Sequence, residues 1–270
     1  MRKGKSDAEM FLTSEPIDFF VTSSVIGDVD NVAQAIQNGP PQNVKLILDD
    51  GWNINVDENN LEDIENLTLS EDDINKLLQA MVDGKKTFRI TTDMIFTKSS
   101  WDVLMKLVET QRLESLQITN NLTPARIQLL INALRSIPRP SMDITINGVG
   151  ESQPIDFIVQ IISRVSQFSW DGKLTDQDAF KIANTIEQSP FLKRLYLSLG
   201  PSPKTVMSDK GIQRLLEAFQ NTKTLANFQI NTFDFRNDET SYTISPDLLQ
   251  QFLIVNNERS STNSSRHEGN

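Results

Sequence analysis

Apolar residues recur along this chain in two alternating rhythms. The first is an i, i+3, i+4, i+7 stripe, the spacing of a helix with one buried face. It runs through Val29, Val32, Ala33 and Ile36, through Ile74, Leu77, Leu78 and Met81, and through Trp101, Leu104, Met105 and Val108. It returns at Ile127, Leu130, Ile131 and Leu134, at Ile155, Ile158, Val159 and Ile162, and at Ala179, Ile182, Ala183 and Ile186. Ile212, Leu215, Leu216 and Phe219 make the seventh copy. One such unit cannot cover its own apolar stripe, so the repetition predicts a fold in which neighbouring units cover one another.

The starts of these stripes are also alike. Ser70, Thr123, Thr175, Ser208 and Ser245 stand where a side-chain oxygen can accept from the first free amides of a helix. Pro124 and Pro246 follow two of them at the first helical position, where a missing amide costs nothing. Ser70 with Asp73, and Thr175 with Asp178, have capping-box spacing with Asp in the place of Glu.

The second rhythm is a short alternating run between the helices. Leu113, Leu116 and Ile118 have L-x-x-L-x-L spacing, as do Leu192, Leu195 and Leu197, and Leu225, Phe228 and Ile230. Ile64, Leu67 and Leu69 follow the same rule, and weaker copies end near Val21, Leu48, Ile90, Ile146 and Trp170. The nine final anchors are 21 to 33 residues apart, with a mean near 26. Repeats of 20–29 residues that give one strand and one return helix each form parallel, stacked architectures. The segments "SDKGIQRLLEAFQNTKTLANFQI" and "LTDQDAFKIANTIEQSPFLKRLYL" resemble intracellular, ribonuclease-inhibitor-like leucine-rich repeats. That resemblance covers residues 16–258 and implies an α/β leucine-rich-repeat solenoid of eight or nine irregular repeats. Its curved parallel sheet would form the concave face and its helices the convex face. The strand-end Asn or Cys of the family is mostly missing. Residues 1–15 would be a leader or cap, and the polar tail 259–270, "RSSTNSSRHEGN", would be disordered. A doubly wound α/β domain is the competing fold, but its strands would be apolar on both faces. There is also no G-x-G-x-x-G or G-x-x-x-x-G-K phosphate loop.

In such strands the residues between the leucines face away from the helices. They include Thr87, Arg89 and Thr91; Ser115 and Gln117; Asp143 and Thr145; Arg194, Tyr196 and Ser198; and Asn227, Gln229 and Asn231. Most are neutral hydrogen-bonding groups. Asn66, Thr68 and Ser70 would extend the same face from the repeat ending at Leu69. Nine strands at the usual spacing give a sheet about 40 Å long, which suits a macromolecule better than a metabolite. The connections after Leu197 and Ile230 are long and leave the same sheet edge. Phe233, Phe235, Arg236 and Tyr242 lie in the second of them. Aromatic and arginine side chains are common interface anchors. The expected partner-binding set is therefore Arg89, Gln117, Arg194, Tyr196, Gln229, Asn231, Phe233, Phe235, Arg236 and Tyr242. For Phe233 and Phe235 an equal alternative is a structural cover over the last repeat.

Charge and chemistry narrow the function classes. The net charge is −10, and the window Asp49–Asp73 holds ten acids and no Lys or Arg, which accounts for the whole excess. That window could steer a partner with a basic patch, and the absence of a basic stripe argues against nucleic acid. The chain has no cysteine, and its one histidine, His267, lies in the polar tail. No cofactor or metal is expected, and "DDGWNINVDENN" fails the calcium-loop pattern for lack of glycine at its sixth position and glutamate at its twelfth. Without cysteine it is also unlike the bacterial effectors that join such repeats to a ubiquitin ligase. No stretch approaches a membrane span and no signal-peptide core is present. The expectation is a non-enzymatic, cytoplasmic protein-binding module. The tail resembles the C-terminal signals of type IV secretion substrates, such as effectors of Legionella-like bacteria, which implies signal-peptide-independent export into a host. A eukaryotic scaffold or inhibitor of the same fold is the alternative.

Overall fold

The computed structural model describes residues 6–21, 28–48, 70–92, 96–118, 122–138, 142–146, 155–172, 174–199, 207–232 and 245–267. The chain divides into two compact units, Met1–Asn120 and Asn121–Asn270. The first holds α1 (Asp7–Met10), β1 (Ile17–Val21), α2 (Val29–Asn38), β2 (Asn43–Leu48), α3 (Glu71–Asp83), β3 (Thr87–Thr92), α4 (Lys98–Glu109) and β4 (Leu113–Ile118). The second holds α5 (Pro124–Ser136), β5 (Asp143–Ile146), α6 (Ile155–Ile162), β6 (Gln167–Gly172), α7 (Asp176–Gln188), β7 (Arg194–Leu199), α8 (Asp209–Asn221), β8 (Asn227–Thr232) and α9 (Pro246–His267).

Within each unit the strands pair in parallel and in chain order, β1-β2-β3-β4 and β5-β6-β7-β8, with a helix between each pair of neighbours. This open alternation of parallel strand and helix is the leucine-rich-repeat-like fold that the spacing predicts. The eight described strands end at or just past eight of the nine expected anchors. The exception is Leu69. β2 pairs directly with β3, from Asn43 opposite Thr87 to Leu48 opposite Thr92, which leaves no place between them for a strand at Ile64–Leu69. Residues 49–69, with Asn66 and Thr68, lie outside the described residues, and Ser70 is the N-cap of α3 and not a sheet-face residue.

Burial follows both rhythms. β2 alternates between exposed or half-buried Asn43, Lys45 and Ile47 and buried Val44, Leu46 and Leu48, as a sheet with helices on one side requires. The expected stripes of α4, α5, α7 and α8 are buried at every position. In α2 the core residue is Ala35, while Ala33 is half-buried; in α6 it is Ile161, while Ile155 and Val159 are half-buried. Ile74 of α3 is also half-buried, with Ala80 in the core instead. Departures of this kind follow from how each helix leans on its neighbours, which spacing does not encode.

In the first unit a cover packs by β1, and in the second another packs on β8. At the start, Ser6 and Glu9 form a capping box on α1, and Phe11 is fully buried edge-on to Phe19. Gln42 ties this segment down by donating to the carbonyls of Met10 and Glu15 at 3.0 and 2.7 Å. At the other end α9 lays Leu248, Phe252 and Val255 over α8 and β8, with Phe252 against Phe219 and Phe228 at 6.4 and 5.2 Å between ring centres. This helix runs on to His267, into the segment whose composition predicts disorder. Phe233 and Phe235, the expected alternative cover, lie outside the described residues.

Candidate functional site

The caps on the helix starts form as the sequence predicts. Ser70, Thr123, Thr175 and Ser208 each accept from a backbone amide of the first turn, and Ser245 does so from Leu248. Thr175 and Asp178 complete a capping box. Ser70 accepts from the Asp73 amide at 3.2 Å, and its hydroxyl donates to the Asp73 carboxylate at 2.7 Å. Adjacent repeats are joined at these starts. Asp176 of α7 accepts from the amide and the hydroxyl of Ser208, at 2.7 and 2.6 Å. Glu71 of α3 likewise accepts from Thr97, the N-cap of α4. Glu71, Asp72 and Asp73 are the described part of the acidic window, and they sit in the first turn of α3 where the helix dipole favours them.

The helix ends show a device that no spacing rule announced. Lys86, fully buried, donates from Nζ to the carbonyls of Phe11 and Pro40 at 2.7 and 2.9 Å. Arg112 donates to the carbonyls of Val82 and Gly84 at the end of α3. Arg164 does the same for Arg135 and Ile137 after α5, and Arg259 for Phe219 and Thr222 after α8. Each cation meets the negative end of a helix dipole and pairs carbonyls that the helix leaves open. Burial holds Lys86, Arg112 and Arg259 below their ordinary pKa values. These residues are structural, and they fix the turns that lead into the strands.

That anchoring sets the strand register, and the register builds the candidate face. In the second unit Asp143, Gln167, Arg194 and Asn227 stand side by side on β5 to β8. One rung further along come Thr145, Ser169, Tyr196 and Gln229. Arg194 and Gln229 are exposed and Tyr196 is half-buried. Asp143 accepts from the Ser166 hydroxyl at 2.8 Å. Asn227 Oδ1 and Ser198 Oγ are buried and have no hydrogen-bond partner. The expected residues Arg194, Tyr196 and Gln229 are therefore neighbours. Asn231 follows at the register position opposite Ser198, and Phe233, Phe235, Arg236 and Tyr242 lie outside the described residues.

Arg89 and Gln117 belong to the first unit. Its corresponding rungs are Asp18, Lys45, Arg89 and Ser115, then Ile47, Thr91 and Gln117. Here the cations are already matched: Lys45 Nζ is 3.7 Å from Asp18, and Arg89 Nε is 3.0 Å from Glu114. A register shift after Phe88 leaves Glu114 as an extra residue on β4, beside Arg89. L-x-x-L-x-L spacing treats that position as filler, so this pairing of the expected binding residue Arg89 leaves no mark in the leucine pattern. Arg89 is thus ion-paired and still exposed.

Among the described residues no group of three or more His, Cys, Asp or Glu could hold a metal ion, and no helix is long and apolar enough to cross a membrane. No protein-family model matches the chain, and no curated protein sequence does.

Proposed function

We propose that the chain is a non-enzymatic protein-binding module and that its docking surface is the strand face of the second unit, centred on Tyr196. The observation that carries this reading is the register. Tyr196 stands between Ser169 and Gln229, and its neighbour Arg194 stands between Gln167 and Asn227. A half-exposed tyrosine ringed by neutral hydrogen-bonding side chains offers apolar area and a donor at once, the combination that anchors protein interfaces. The face is a broad array of short polar groups over four strands, better suited to a macromolecular surface than to enclosing a metabolite.

The test is affinity capture from bacterial and human cell extracts with quantitative mass spectrometry, comparing the wild-type chain with Tyr196→Ala. A protein partner depleted by the variant is expected. Direct titration of that partner should show a loss of about 2 kcal/mol, roughly thirtyfold in Kd. A partner that binds Tyr196→Ala as tightly as wild type would move the docking surface elsewhere.

A further inference from the structure

We propose that the partner engages this face through an acidic peptide segment, with Arg194 as the ion-pairing anchor beside Tyr196; this rests on the protein-binding reading above. The argument starts from a contrast between the two units. On the strand face of the first unit, Lys45 and Arg89 each have a carboxylate from the chain itself, at 3.7 and 3.0 Å. On the second unit Arg194 is exposed and has no ion pair or side-chain hydrogen bond among the described residues. The acid on its own rung, Asp143, is two strands away, about 10 Å at ordinary strand spacing. That carboxylate already accepts from Ser166.

Two further cations lie close by. Lys193 precedes Arg194, and its carbonyl accepts from the amides of Ala226 and Asn227 at 2.8 and 3.1 Å, which holds the turn carrying Lys223 next to the start of β7. Lys193 and Lys223 are exposed and likewise have no ion pair among the described residues. Glu187, an acid on the nearby helix layer, is taken by Arg214 in a two-pronged pair at 2.8 and 2.9 Å. The unpaired cations are a local feature, since residues 121–270 contain 15 acids and 15 bases. Their attraction acts at contact range, within a Debye length of about 8 Å, and not as a long-range field. Three cations on a neutral unit do not make the basic stripe that tracks a phosphate backbone. They fit a carboxylate or two on a peptide, with Gln167, Asn227 and Gln229 available for its backbone.

The test selects random dodecapeptides from a display library on the full chain. Wild type should enrich Asp and Glu over Lys and Arg, and the preference should reverse on Arg194→Glu. A selected acidic peptide, labelled with fluorescein, should lose about tenfold in affinity on Arg194→Gln. The unfolding midpoint of that variant should not move, because Arg194 is exposed and holds nothing in the fold. Peptides that depend on Tyr196 but show no acidic bias, or that ignore Arg194→Gln, would overturn this inference and leave the protein-binding reading standing. A library that yields nothing on any bait would count against both. Tighter binding of a labelled oligothymidine than of the acidic peptide would assign the cations to phosphate and also overturn it.

Discussion

Lys86 shows how one side chain can carry more structural weight than its sequence position suggests. It is an ammonium group with no exposed surface and no carboxylate, held by two carbonyls from the segments before and after α2. Replacing it by Met keeps the stem but leaves both carbonyls buried and unpaired. Each orphaned group costs about 1–3 kcal/mol, partly offset by removing a desolvated charge, so Lys86→Met should destabilise by about 2 kcal/mol in urea unfolding. Linkage adds a pH test. Burial lowers the native pKa below the ordinary 10.5, so in the window between the two values the unfolded chain holds a proton that the native chain has released. The contribution of Lys86 therefore grows as pH rises through that window and diminishes as pH falls through the native value. The gap between wild type and Lys86→Met should widen toward pH 10.5. A gap that narrows there would refute the buried-ammonium account.

At the scale of the element, the α8 start depends on close approach. A Cβ at Gly211 would lie 2.6 Å from Asp176 Oδ1 and 2.6 Å from Met207 Cγ. Gly→Ala inside a helix ordinarily gains about 0.5–1 kcal/mol. Here the added methyl would displace the carboxylate that accepts from Ser208 and so unpick the α7–α8 connection. Gly211→Ala should therefore lower stability by about 1–2 kcal/mol in thermal unfolding, the opposite sign to the helix-propensity expectation. Helices, caps and strand anchors were legible because each is written within a few residues: a hydroxyl before a stripe, a leucine every second or third position. The cations that close the helix ends were not. Arg112 and Arg164 reach back a whole repeat to carbonyls, and a bare backbone acceptor leaves no mark in the sequence. The pairing of Arg89 with Glu114 was hidden for the related reason that a one-residue register shift has no signature in leucine spacing.

For the molecule as a whole, stability in a stacked repeat is the sum of local terms and nearest-neighbour interfaces, so the covers at the ends matter more than their size suggests. Phe252 is buried on Phe219 and Phe228, and Phe252→Ala should cost about 3 kcal/mol. Its neighbour Leu253 is 63% exposed, so Leu253→Ala should stay within about 0.5 kcal/mol of wild type. Hydrogen exchange should show the loss of protection in Phe252→Ala concentrated in α8 and β8 and fading toward α5. Uniform loss across residues 122–267 would mean that the second unit unfolds as a single block.

The sequence by itself determined the repeat: two periodicities, 3.6 for helices and 2 for strands, alternate at a near-constant interval, and only parallel strands with return helices satisfy both. It also identified Arg194, Tyr196 and Gln229 as residues of the face away from the helices. What only the tertiary structure decided is which of those residues share a rung and which charges are already spoken for. Register comes from hydrogen bonds between strands some 30 residues apart in the chain, and ion pairing comes from register. Neither is a property of any local stretch. That is why Arg89 and Arg194 look alike in the sequence, and why in the folded chain one is matched to Glu114 while the other remains open.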